Sequence, residues 1–148
     1  MSEKTGTASA TGATTNDQNR GLLDTSVLIA QDTGRRLGPL PAFSSVSVVT
    51  IAELHLGVLM ADDPVIRAER LRTVSRAEAL FEPLPVDVNV ARTFASLVAS
   101  AQRAGRRPTI QDTWIAATAV THNLPLYTQD DTQDDGFAGI PQVRVVRI

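Results

Sequence analysis

Residues 21–30 read GLLDTSVLIA, a short apolar run interrupted by Asp24 and Ser26. Leu22 and Leu23, then an acid, then Val27, Leu28 and Ile29 read as a buried strand that turns directly into a helix, with Asp24 at the turn. Working outward, Gly34 to Pro41 break the chain, and Phe43 to Val49 (FSSVSVV) supply a β-branched run suited to a second strand. Thr50-Ile51-Ala52-Glu53 matches a capping box, which predicts a helix over 51–61 with Glu53 in its first turn. Pro64 opens a long arginine-rich helix, and 81–86 return to extended backbone. Asp87 is the predicted N-cap of a helix with Val90, Phe94, Leu97, Ala101 and Ala104 at helical spacing, closed by Gly105. Thr109-Ile110-Gln111-Asp112 is a second capping-box pattern, on a helix to about His122; LPLYT (124–128) and VRVVRI (143–148) are the last strands. Strands alternating with helices predict an α/β fold: a mostly parallel sheet flanked by helices on both faces, in three layers.

Composition narrows the chemistry. The 148 residues suit one domain, assigned to 20–148, after a polar tail at 1–19 that lacks Val, Ile, Leu and Phe and is expected to be disordered. A net charge of −2 restricts any nucleic-acid contact to a local basic patch. The lack of cysteine excludes disulfides, thiolate nucleophiles and cysteine-ligated metal. Lys4 is the sole lysine, so neither a P-loop nor a Schiff-base site exists, and His55 and His122 are too few for a three-histidine zinc site. No stretch has the roughly 18 apolar residues of a membrane span. A cytoplasmic setting is expected.

Carboxylates remain. Asp24 ends the first strand, Glu53 follows the second, Asp112 begins the last helix and Asp130 follows the strand ending at Thr128. In open α/β sheets ligands bind beyond the carboxyl ends of the strands, so all four fall on one edge. Two carboxylates about 4 Å apart repel by roughly 4 kcal/mol at an effective dielectric near 20, so such a cluster must protonate or recruit cations. All-oxygen ligation points to Mg²⁺ or Mn²⁺, ions that activate water and neutralise a phosphodiester transition state.

LLDTSVLI, TIAELHLG, QDTWIAATAV and LYTQDD stand in an order and spacing that resembles PIN-domain ribonucleases of the VapC toxin type, over about 21–148. The resemblance implies that Asp24, Glu53, Asp112 and Asp130 form a Mg²⁺ or Mn²⁺ site that cleaves RNA, in a homodimer blocked by a cognate antitoxin. Two features depart from the family pattern: the polar tail ahead of Asp24, and the run DDTQDDGF, which offers Asp131, Asp134 and Asp135 as alternatives to Asp130.

Simpler roles compete with each assignment. Asp24 suits a helix cap, Glu53 and Asp112 suit capping boxes, and Asp130 sits in a charge run of the kind found on solvated surface. Ser26 reads as a cap that also supports the site. His55 projects away from Glu53, and Trp114 reads as core or dimer packing. Arg103, Arg106 and Arg107 border the turn before Asp112 and are the candidate RNA-phosphate contacts. The alternative function is a non-catalytic PIN-like RNA- or protein-binding module, which would retain the acids for docking alone. A phosphate-accepting receiver domain, another acidic-pocket fold, lacks its lysine here.

Overall fold

The computed structural model describes residues 19–130 and 136–148. Apart from Asn19, the predicted polar tail lies outside the described residues, as do Asp131, Asp134 and Asp135. Strand β1 (Arg20–Leu23) passes through Asp24 into α1 (Thr25–Thr33); β2 (Phe43–Ser45) leads into α2 (Val48–Leu59). Then come α3 (Pro64–Leu80), α4 (Val88–Arg103), α5 (Ile110–Thr121), β3 (Leu126–Thr128), a 3₁₀ turn at Phe137–Gly139, and β4 (Val145–Arg147). The four strands lie in the order β2-β1-β3-β4, and every pairing is parallel, with Leu22 opposite both Ser45 and Leu126, and Leu126 opposite Val145.

Consecutive sheet residues point to opposite faces, and each face has its own core. Leu22 and Leu126 pack with Val90 and Leu97 of α4 and Ile115, Ala116 and Ala119 of α5. Leu23 packs with Val27 and Leu28 of α1, Leu54 of α2, and Val74 and Ala77 of α3, with Tyr127 against them. These are the helix layers expected on both sides. Gly21 makes close packing possible within the sheet: a Cβ there would stand 2.3 Å from Tyr127 Cε2 and 2.6 Å from Cδ2. Helix α1 stops at Gly34, whose φ of 70° is the left-handed C-cap conformation that favours glycine.

The structure corrects three local expectations. The second strand ends at Ser45, and Ser47 is the helix N-cap, its hydroxyl accepting from the Val49 N–H at 3.1 Å. Helix α2 therefore starts at Val48 rather than 51, Thr50 is buried inside it, and Glu53 belongs to its second turn. Residues 81–86 form no strand; their single ladder contact is an isolated bridge between Leu84 and Ser47. Local pattern misled because Val48 and Val49 look strand-forming, whereas Val49 and Ile51 pack against the two cores as helical residues. Elsewhere Asp87 caps α4 as read, accepting from Val90, and Asp63, not singled out in the sequence, caps α3 ahead of Pro64 by accepting from Val65 and Ile66.

Candidate active site

Chain order reverses direction across the sheet between β1 and β3. From β1 the chain goes outward to β2, then crosses through four helices to β3 on the other side of β1. A crevice opens at such a switch point, beyond the carboxyl ends of the strands. Asp24 leaves β1 and Asp130 follows β3, so these two acids flank it.

Asp24 occupies the N-cap position of α1, yet its side chain makes no capping hydrogen bond. It is 4% exposed, and its Oδ2 receives the Ser26 hydroxyl at 2.8 Å and the Thr128 hydroxyl at 3.0 Å. Each hydroxyl in turn accepts a backbone N–H from the segment after β3: Gln129 to Ser26 at 3.0 Å, and Asp130 to Thr128 at 3.1 Å. Two short relays thus tie the Asp24 carboxylate to the backbone that carries Asp130. Burial raises the Asp24 carboxyl above the usual carboxylate range; the Ser26 and Thr128 hydrogen bonds pull it down, and the neighbouring charge of Asp130 pushes it up.

Glu53 is half-buried on α2 and its Oε2 accepts the Thr25 hydroxyl at 2.7 Å. Its side chain reaches across to α1 instead of folding back on its own helix start, which removes the capping-box explanation for this acid. Burial raises its pKa, opposed by the Thr25 hydrogen bond and reinforced by the charges of Asp24, Asp112 and Asp130. Asp112 lies in the first turn of α5, where Thr109 is the N-cap and accepts from the Asp112 N–H at 3.2 Å. Only half of that capping box forms among the described residues. Burial raises the Asp112 pKa as well, opposed by Thr109 and reinforced by Asp130. The four acids therefore share one electrostatic environment. Neither of the two ion pairs between described residues, His55–Glu78 and Arg76–Asp32, touches them.

Among the described residues no three His, Cys, Asp or Glu side chains stand close enough to cage a metal unaided. The donors that the cluster offers are all carboxylate oxygens, the ligand type of a hard dication. Mg²⁺ keeps several of its waters and takes one or two carboxylates plus substrate oxygens in place of a complete protein cage. Oxygen donors, mutual repulsion and burial that penalises ionisation all favour a cation of that kind.

Of the other predicted residues, Ser26 supports Asp24 and makes no helix cap. Arg106 and Arg107 are exposed in the turn between α4 and α5, and Arg103 ends α4. His55 contacts Glu78 of α3. Trp114 is half-buried and stacks on Phe94. Thr25 and Thr128 went unassigned in the sequence. The signal for Thr128 was legible: a threonine ending a strand two residues before an acid suits a side-chain turn that accepts the acid's backbone N–H. Nothing in the sequence pairs Thr25 with an acid 28 positions away.

A family model described as PIN domain matches residues 21–136. The chain belongs to the PIN-domain family. Curated relatives set this PIN domain among those of VapC type. It is 46% identical over 129 residues to Ribonuclease VapC5 of Mycobacterium tuberculosis, covering 84% of this chain and 95% of the relative. It is 43% identical to Ribonuclease VapC4 of the same organism, covering 87% and 97%. The crystal structure of VapBC-5, a member of the VapBC family of toxin-antitoxin systems from M. tuberculosis, matches with a TM-score of 0.76 at 42% identity, covering 88% of this chain and 99% of that one. No helix among the described residues is long and apolar enough to cross a membrane.

Proposed function

We propose that this PIN domain is a metal-dependent ribonuclease, the toxin of a toxin-antitoxin pair, and that it hydrolyses RNA phosphodiester bonds at the Asp24, Glu53, Asp112 and Asp130 cluster. One observation carries the reading: burial opposes the ionisation of Asp24, Glu53 and Asp112, three acids from three segments, and the charge of Asp130 acts on all three. The names of the relatives support RNA as substrate and an antitoxin as partner. Asp24, Asp112 and Asp130 would hold Mg²⁺ or Mn²⁺, with Glu53 assisting a second ion or orienting water. When bound, the ion supplies charge neutralisation at the phosphodiester and an activated water.

The chain's own groups prepare that chemistry. Ser26 and Thr128 both donate to Oδ2 of Asp24, which favours its ionised form and fixes its rotamer. Thr25 occupies Oε2 of Glu53, leaving Oε1 to take a proton from water. A carboxylate raised by burial is better matched to that task at neutral pH than one in its usual range. A homodimer in the cytoplasm, silenced by an antitoxin arginine that reaches the acids, completes the proposal; such a charge-assisted contact would be strong.

The test is Asp112→Asn, assayed on RNA with Mg²⁺ or Mn²⁺ after circular dichroism confirms folding. Loss of one ligand should cost about a thousandfold or more in rate, several steps of 1.36 kcal/mol per decade. Undiminished cleavage overturns the assignment. A wild-type chain that retards RNA without cutting it, with either ion, establishes the binding-module alternative instead.

A further inference from the structure

Helix α4 ends in a Schellman motif: the Arg106 N–H donates to Ala101 O at 2.8 Å and the Gly105 N–H to Gln102 O at 3.1 Å, with Gly105 at φ 71°. Pro108 follows two residues later. Arg106 and Arg107 are thus presented from a backbone held on both sides. Both line a cavity of about 850 Å³, together with Phe94 and Val98 of α4 and Ile110 and Thr113 of α5. Thr113 is the residue after Asp112 in the first turns of α5, so one helix carries both the cavity wall and an acid of the cluster.

Three properties of this cavity match an unpaired nucleotide. Phe94 offers an aromatic wall, backed by Trp114 with ring centroids 3.7 Å apart and planes within 12°. Ile110 is 65% exposed, an apolar surface without a partner in the chain. Arg106 and Arg107 enter neither ion pair among the described residues and are exposed. Aromatic faces with arginines alongside are how proteins hold single-stranded RNA, the base stacked and the backbone neutralised. The acid cluster repels a polyanion, so a substrate needs cations beside it. A second copy of the chain fits less well, since a two-fold contact here would bring four arginines together.

Resting on the ribonuclease reading, we propose that the cavity is the subsite for an unpaired nucleobase of the RNA beside the cleaved phosphate, stacked on Phe94, with adjoining phosphates on Arg106 and Arg107.

The full chain is titrated in EDTA with a single-stranded eight-nucleotide RNA and with the same backbone carrying one abasic position at a time. Trp114, the only tryptophan, reports binding by fluorescence. The proposal expects quenching, about tenfold weaker binding for one abasic position, and about tenfold weaker binding for Phe94→Leu. It expects Arg106→Gln with Arg107→Gln to reduce the salt slope by about 1.4, near 0.7 for each phosphate that an arginine neutralises. In cleavage assays with Mn²⁺, Phe94→Leu should raise KM with kcat nearly kept. Should Phe94→Leu fail to fold, the two exposed arginines carry the test. Wild-type cleavage with both variants binding and cutting normally overturns the subsite and leaves the nuclease reading intact; base-dependent binding without any cleavage does the reverse. Variants that alter only the sedimentation coefficient, or only the binding of a protein partner, overturn it in favour of that occupant.

Discussion

Replacing Thr128 with valine removes one hydroxyl while preserving shape, and the structure sets the size of the effect. The side chain is 1% exposed, donates to Asp24 Oδ2 at 3.0 Å and accepts from the Asp130 N–H at 3.1 Å. A hydrogen bond to an ionised group contributes about 1.5–3 kcal/mol, a neutral one about 0.5–1.5. Asp130 is exposed, so its freed N–H finds water at little cost. Thr128→Val should therefore lose about 2 kcal/mol to the extent that Asp24 is ionised, which is greater at pH 8, and about 1 kcal/mol at acid pH, where more of it is protonated. In a chain of this size about 2 kcal/mol corresponds to roughly 4–8 °C in Tm. Urea unfolding of both proteins at the two pH values measures it, with Thr128→Ser expected to restore most of the loss. A penalty that stays constant with pH, or falls below about 0.5 kcal/mol at pH 8, refutes the relay between Thr128 and Asp24.

Asp24, Glu53 and Asp112 all have raised folded pKa values, so the folded state binds more protons than the unfolded one between the usual carboxylate range, near about 4, and those raised values. Stability of the metal-free chain should fall as pH rises through that window, and Mg²⁺ should reverse the loss; calorimetric melts across pH with and without the ion check both signs. Gly21→Ala places a Cβ 2.3 Å from the Tyr127 ring and should cost about 1–3 kcal/mol, read by chemical denaturation. Ser47→Ala removes the real cap of α2 and should cost about 1 kcal/mol in the same assay; an unaffected midpoint would return the helix start to Thr50.

Much of the architecture was legible because patterns at different levels agreed. Leu22 and Leu23 before Asp24 announced a buried strand ending in an acid, and Pro64, Asp87 and Gly105 marked helix boundaries that the structure keeps. Alternation of elements then gave a parallel sheet, and the sheet gave the edge on which the acids lie. The start of α2 was illegible for a physical reason. Ser47 and Thr50 both suit a cap, and what separates them is tertiary: Thr50 is buried, and Val49 and Ile51 are held by the cores on the two sheet faces. One hydroxyl of the site and the aromatic pair beside it were hidden in the same way. Thr25 meets Glu53 only because α1 and α2 pack together, and Phe94 meets Trp114 only across α4 and α5. Such pairings carry no local signature.

Calorimetric titration of the metal-free chain with Mn²⁺ bears most directly on the acid cluster. The wild type should take up the ion with release of protons, and Asp24→Asn and Asp112→Asn, shown to be folded, should each bind it at least tenfold more weakly, about 1.4 kcal/mol. Wild-type protein that takes up no Mn²⁺, or the same affinity in both variants, would contradict the account.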